Sequence, residues 1–196
     1  MKNIFRLLIV NSLFALSTVY STGPSITIPD FNNWWTFVDK LGTGSQIKPD
    51  KYFVTDEENI EVTITKADQP EWKEQAPQSD YPYVGIGTYF EPSKTTVDLS
   101  GVESICLIYK LDGPVSLVLS QSGIDPGDEY ITDLPPAENY TKFIITWSDF
   151  YQPHWVNKNS RLDISKLTGI RFEIRTRYKS SATLGIHSVT FKDIIQ

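Results

Sequence analysis

Period-two alternation dominates this chain. Residues 169–177 read G-I-R-F-E-I-R-T-R, with Ile170, Phe172, Ile174 and Thr176 pointing one way and Arg171, Glu173, Arg175 and Arg177 the other. Such a segment is a strand with one dry face and one wet face. Weaker versions recur at residues 25–28, at the aromatic stretch 34–38, and at Ile60, Val62 and Ile64, which face away from Glu61, Thr63 and Thr65. Further strands are predicted at 83–90, 105–111, 115–120 and 184–194, and at Phe143, Ile145 and Trp147 alternating with Lys142, Ile144 and Thr146. Asp112-Gly113-Pro114 reads as a hairpin turn joining two of them. Turn-rich stretches at 67–80, 122–128, 134–139 and 152–160 separate the strands, and residues 148–150 suit one helical turn. No segment carries a sustained helical stripe. Many short strands with Gly, Pro and Asp punctuation predict an all-β sandwich or barrel.

The N-terminus changes the picture first. Lys2 and Arg6 precede an apolar run at 7–16 that only Asn11 and Ser12 interrupt, and small residues follow with cleavage positions after Ser17 or Ser21. This is the pattern of a secretory signal peptide over residues 1–21, too short and interrupted for a membrane span, with a signal anchor as the alternative, leaving 22–196 as one exported domain. A second apolar run of spanning length is absent from the sequence. Of 18 basic residues, removal of Lys2 and Arg6 leaves 16 against 24 acidic ones, a net charge of −8. That balance argues against nucleic acid and against anionic membranes as partners. Cys106 is the sole cysteine, so no internal disulfide forms, and its setting in Ser-Ile-Cys-Leu-Ile suits a buried thiol.

Candidate chemistry lies on the strands. In residues 83–89, Tyr83, Gly85, Gly87 and Tyr89 share a face, a flat floor between two raised rings. Strand glycines mark the close approach of a ligand or of another backbone, and tyrosine offers both an apolar face and a hydroxyl to a sugar ring. The same glycines would equally relieve crowding at a sheet bend. Arg171, Glu173 and Arg175 form a charged ladder able to donate to and accept from a vicinal diol. The bland alternative is a solvated face of self-pairing charges. Tyr151, Gln152, His154 and Trp155 make an aromatic and polar loop, which serves either a ligand or one open end of a sandwich. Residues 125–129, D-P-G-D-E, form an acidic turn placed to rim a site. Asp30, near Asn32 and Asn33, and Asp193 stand at the first and last strands, where their oxygens would suit calcium if the termini meet. Catalytic signatures are thin. There is no G-x-S-x-G, no H-E-x-x-H, no phosphate loop and no strand-borne carboxylate triplet for glycoside hydrolysis. Of the two histidines, His187 shares its expected strand face with Val189 and Phe191, a core or edge position.

Three features together resemble a known family. They are Asp-Phe-Asn-Asn-Trp-Trp at 30–35, Tyr-Val-Gly-Ile-Gly at 83–87, and Ile-Ile-Thr-Trp-Ser-Asp-Phe at 144–150 leading through a long loop to Gly-Ile-Arg-Phe-Glu-Ile and a closing Phe-Lys-Asp-Ile. The chain resembles the family 11 carbohydrate-binding modules of secreted bacterial glucanases, and the related complex I intermediate-associated protein 30 family with its galactose-binding-like domain. The resemblance implies a two-sheet jelly roll, no catalysis, and a face that binds a plant cell-wall β-glucan, in service of a larger extracellular degradation complex. By position it implies Tyr83 as a platform tyrosine, Arg171, Glu173 and Arg175 as a polar wall, and structural calcium held by Asp30 and Asp193; the residues themselves add Tyr89 and Trp155 to the expected ligand contacts. Two alternatives come from other classes. R-F-E-I-R and Gly185-Ile186-His187 resemble parts of jelly-roll alginate lyases, which act on uronate polymers, but the glutamine of the second motif is Gly185 here. A structural adhesion domain would use the sandwich only as a scaffold.

Overall fold

The computed structural model describes residues 26–27, 34–38, 45–48, 54–56, 59–67, 83–91, 93, 95–156, 160–176 and 178–192, and structural statements concern these. The alternating segments among them become strands. In chain order they are β1 (Ile26–Thr27), β2 (Trp34–Val38), β3 (Gln46–Lys48), β4 (Val54–Asp56), β5 (Asn59–Lys66), β6 (Tyr83–Tyr89) and β7 (Ser104–Leu111). There follow β8 (Ser116–Gln121), β9 (Tyr130–Asp133), β10 (Ala137–Thr146), β11 (Leu167–Arg175) and β12 (Ser180–Lys192). They build two antiparallel sheets. The larger runs β10-β7-β12-β5-β3, with β1 added on β12 and β4 on β5; the smaller runs β2-β6-β11-β8-β9. The protein is therefore an all-β, two-sheet jelly-roll sandwich.

The dry faces of the two sheets make the core. Ile60, Val62 and Ile64 of β5 meet Val84 and Ile86 of β6 and Ile170, Phe172 and Ile174 of β11, all fully buried or nearly so. Trp34 stacks on Phe172 with ring centroids 5.8 Å apart. Leu117 and Leu119 of β8, Leu184 and Ile186 of β12, and Ile105 and Leu107 of β7 complete the layer. Cys106 is a buried free thiol. No helix among the described residues is long and apolar enough to cross a membrane.

Several expectations need correction. Asp112-Gly113-Pro114 is not a hairpin turn, because β7 lies in the larger sheet and β8 in the smaller one. It is a corner between layers, and it is bound to β12. Asp112 N donates to Thr183 O at 3.3 Å, and Thr183 N donates to Asp112 Oδ1 at 2.5 Å. A Cβ on Gly113 would stand 2.5 Å from Ser181 O, so the glycine permits this approach. The short strands β3, β4 and β9 were not expected, and β10 begins at Ala137, inside a stretch read as turn. From Glu138 to Lys142 every residue of β10 is exposed, so its sequence shows no apolar alternation there. His187 does not share a face with Val189 and Phe191. The register with β7 slips between Ile186 and Ser188, which turns the ring outward to bond Asn59 Oδ1 through Nδ1 at 2.9 Å. The helical turn expected at 148–150 is a 3-10 turn at Trp147–Asp149, in which Asp149 Oδ2 accepts from Thr146 N at 2.7 Å, and a second 3-10 turn lies at Ile164–Lys166.

Candidate functional site

The outer face of the smaller sheet gathers most of the chemistry. Register sets its rows. Phe37, Gly85, Glu173, Ser116 and Asp133 line up across the five strands; Trp35, Gly87, Arg171, Val118 and Ile131 form the next row. Arg175 pairs with Tyr83, and Gly169 stands between Tyr89 and Ser120. Each strand contributes every second residue to this face.

Two aromatics of β2 occupy the glycine floor. A Cβ on Gly85 would lie 2.7 Å from the Phe37 ring and 2.1 Å from Phe172 O; one on Gly87 would lie 2.8 Å from Arg171 Cγ and 3.2 Å from Trp35. The glycines thus make room for side chains of this chain, and what the face presents is a strip of rings. Tyr89, Trp35, Phe37 and Tyr83 follow one another with centroid separations of 5.5, 5.1 and 5.9 Å. All four are half-buried. Along β6 the strip spans roughly 20 Å, from a rise of ~3.3 Å per residue.

The charged ladder is drier than its sequence suggested. The side chains of Arg171, Glu173 and Arg175 are 12, 4 and 10% exposed. The reason is internal pairing under a turn. Arg171 Nη2 donates to Glu129 Oε2 at 2.7 Å, and Arg175 Nε donates to Glu173 Oε1 at 3.1 Å. Gly127 N donates to Glu129 Oε2 at 2.8 Å, which folds the 125–129 turn onto the sheet. Burial works against the charge on Arg171, but Glu173 and Glu129 outweigh it and raise its pKa above the ordinary guanidinium value. Three polar atoms of this face, Trp35 Nε1, Arg171 Nε and Glu173 Oε2, are buried without a hydrogen-bond partner. Glu173 Oε2 is compensated by the Arg171 guanidinium 3.7 Å away, while the two nitrogens each cost on the order of 1–3 kcal/mol in that state.

Arg175 holds the centre. Its guanidinium lies 4.5 Å from the Tyr83 ring centroid and 6.0 Å from that of Trp155. The terminal nitrogens Nη1 and Nη2 make no hydrogen bond among the described residues. Beyond it opens a cavity of about 240 Å³, lined by Ser116, Val118, Ile131 and Asp133 of β8 and β9, by Glu173 and Arg175, and by the 127–129 and 151–155 segments. The two segments are tied together. Trp155 Nε1 donates to Gly127 O at 3.1 Å, and Gln152 Nε2 donates to Asp128 O at 2.8 Å. Tyr151 bridges to Ile131 through paired backbone bonds of 2.9 and 3.0 Å, and its hydroxyl donates to Asp133 Oδ2 at 3.1 Å. Partial burial and the Asp133 carboxylate raise the Tyr151 phenol above its ordinary value.

Of the residues named from sequence, Glu173, Arg175, Trp155, Tyr151 and His154 line this cavity, and Tyr83 stands against the Arg175 guanidinium without lining it. Tyr89 stands at the far end of the strip, and Arg171 lies between, spent on Glu129. Asp30, Asp193 and Arg177, and the leader expected at 1–21, fall outside the described residues. Among the described residues no group of three or more His, Cys, Asp or Glu is placed to hold a metal ion. Sequence reasoning missed Trp35, Phe37, Ser116 and Asp133 as members of the face. A signal for the first two existed: W-x-F and G-x-G share a spacing of two, which suits rings laid over glycines once the strands pair. The two halves of the lyase-like pattern stand apart, since the Arg171 to Arg175 row faces out from the smaller sheet and His187 from the larger one.

This architecture defines a class, the jelly-roll β-sandwich with an aromatic outer face. More particularly, the chain has the fold of the family 11 carbohydrate-binding modules. It superposes on the module of the cellulosomal cellulase Lic26A-Cel5E of Clostridium thermocellum with a TM-score of 0.63 at 17% identity, covering 90% of this chain and 98% of that one. A second structure, the Clostridium thermocellum family 11 module in complex with a β-1,3-1,4-mixed-linked tetrasaccharide, gives 0.61 at 15% identity, covering 88 and 97%. No family model matches the sequence, and no curated protein matches it either.

Proposed function

We propose that this protein is an exported, non-catalytic module that binds a polysaccharide of β-glucan type along the outer face of the smaller sheet. The observation that carries the proposal is the Arg175 guanidinium between Tyr83 and Trp155, with its terminal nitrogens making no hydrogen bond among the described residues and the Glu173 carboxylate beside it. Rings offer apolar faces to the C–H face of a pyranose, while a fixed guanidinium and a carboxylate meet its hydroxyl edge. The strip from Tyr89 to Tyr83 supplies length for several sugar units. The fold shared with modules that include a mixed-linkage glucan complex supports the same reading. The leader at 1–21 supports export, and the plant cell wall is the natural source of such a polymer.

Affinity gel electrophoresis on mixed-linkage glucan, xyloglucan, xylan and alginate tests it. Retardation on at least one neutral glucan is expected, and its loss in the Tyr83→Ala, Arg175→Ala double variant. Absence of retardation on all four polymers overturns the proposal, as does a double variant retarded like the parent.

A further inference from the structure

Trp155 stands on a turn whose own bond does not fix its direction. Val156 N donates to Pro153 O at 3.0 Å, which closes residues 153–156 and leaves His154 and Trp155 at the centre of the turn. Nothing in that bond aims the Trp155 ring at Arg175, 6.0 Å away. Tethers outside the turn do so. The Tyr151–Ile131 bridge fixes the chain just before it, and Trp155 Nε1 donates to Gly127 O at 3.1 Å. Between these two lies Gln152, whose side chain is engaged at both ends. Its Nε2 donates to Asp128 O at 2.8 Å, and its Oε1 accepts from Ser160 N at 3.0 Å.

An amide side chain carries a donor and an acceptor side by side, which a carboxylate or an ammonium group does not. Gln152 uses both to clip the start of its own loop to the 125–129 turn and to the backbone eight residues further on. The anchor it grips is firm. Glu129 Oε2 accepts from Gly127 N and from Arg171 Nη2, so the turn that offers Gly127 O and Asp128 O is pinned to β11. A line of bonds therefore runs from Arg171 through Glu129 and the turn to Gln152 and Trp155. Gln152 itself is half-buried and does not line the cavity beside Arg175, whereas Pro153, His154 and Trp155 do. Its influence on a ligand there must pass through the residues it holds.

We infer that Gln152 is a positioning residue for ligand binding: it holds the Trp155 ring over Arg175 in the free protein, so that this wall of the site stands before the ligand arrives. The inference rests on the polysaccharide-binding reading above. Without the clip, Trp155 must be ordered at the moment of binding, which should weaken affinity by roughly three- to tenfold. Isothermal titration calorimetry of the full protein with mixed-linkage glucan measures this in a double-mutant cycle. Gln152→Ala should weaken binding by that factor in the parent protein and by less than about twofold in Trp155→Ala, because the ring it positions is then gone. Equal fold-losses on the two backgrounds overturn the inference, since they would mean that Gln152 does not act through Trp155. An unchanged affinity of Gln152→Ala overturns it as well. A second measurement needs no ligand. Hydrogen exchange of the Trp155 indole N–H, followed by NMR, should quicken in Gln152→Ala while the amides of β7 and β11 keep their protection. Unchanged indole exchange overturns the inference. Exchange that quickens throughout the sandwich does so too, because the residue would then support the fold at large. If the parent gives no heat with any glucan, the polysaccharide reading falls, and the indole exchange still decides whether Gln152 holds Trp155 in place.

Discussion

Two ion pairs on opposite outer faces of the sandwich contrast sharply. On the larger sheet, Lys110 Nζ meets Glu61 Oε2 at 2.5 Å, with side chains 31 and 46% exposed. On the smaller sheet, Arg171 meets Glu129 at 2.7 Å, with 12 and 6% exposed. The distances are alike, but the solvent is not. The first pair sits among Thr63, Thr65, Ser181 and Thr183, an ordinary wet sheet face where Thr65 and Ser181 hydroxyls bond each other at 3.1 Å. An exposed pair of that kind contributes about 0–1 kcal/mol. The second pair is covered by the 125–129 turn and has lost its water. Its attraction must offset desolvation, so its value lies in holding the turn and the cavity wall in place. The same chemistry is decoration on one face and framework on the other.

The comparison is most exposed to failure at Glu129. Glu129→Ala removes the nearer partner of the buried Arg171 guanidinium, leaving it only the Glu173 carboxylate at 3.7 Å, and should cost about 3 kcal/mol in urea unfolding, the low end for breaking a buried pair. Combining it with Arg171→Met should restore part of that loss, because the stranded charge is gone. Next comes Gly85→Ala, whose Cβ would press on Phe172 O and the Phe37 ring and should destabilise by about 1–3 kcal/mol in the same assay. For binding, two half-open aromatics separate the faces. Trp35→Ala on the strip should weaken retardation in a glucan gel by about tenfold, a loss of ~1.4 kcal/mol, whereas Tyr140→Ala on the larger sheet, 40% exposed, should leave it unchanged. Glu61→Ala should cost less than about 1 kcal/mol, and equal costs for Glu61→Ala and Glu129→Ala would erase the distinction.

The smallest expected effect concerns pH. Asp163 is held down from 3.8 to about 2 by hydrogen bonds from Lys166 and Ser165. Its folded value lies below its unfolded one, so its stabilising contribution is present above about 4 and fades as pH falls through about 2. Carboxyl titration by NMR should show Asp163 as a low outlier, and Lys166→Ala should move it upward.

Legibility varied with how local the physics was. The residues 169–177 displayed their period openly, and β11 buries Ile170, Phe172 and Ile174 as that period requires. The wet side of the same strand misled, since Arg171 and Glu173 are dry. Nothing in G-I-R-F-E-I-R tells that a turn 42 residues earlier folds over it and supplies Glu129. Trp155 was visible as an aromatic in a loop, but its placement over Arg175 depends on the bond to Gly127 O. The hairpin reading of Asp112-Gly113-Pro114 failed for a related reason. A turn signal specifies a change of direction and not which sheet the next strand joins.

The sequence by itself determined an all-β chain, the dry faces of β5, β6 and β11, the buried thiol, and the presence of rings, guanidinium groups and carboxylates in alternating strands. Those properties follow from a period of two and from side-chain chemistry, both carried within a few residues. Only the tertiary structure decided that Trp35 and Phe37 fill the space over Gly87 and Gly85, that Arg171 is spent on Glu129 and Glu173 while the terminal nitrogens of Arg175 make no hydrogen bond among the described residues, and that two loops join beside a cavity. Strand pairing and loop folding bring together residues far apart in the chain, and it is burial at those meetings that turns a solvated charge into a structural one.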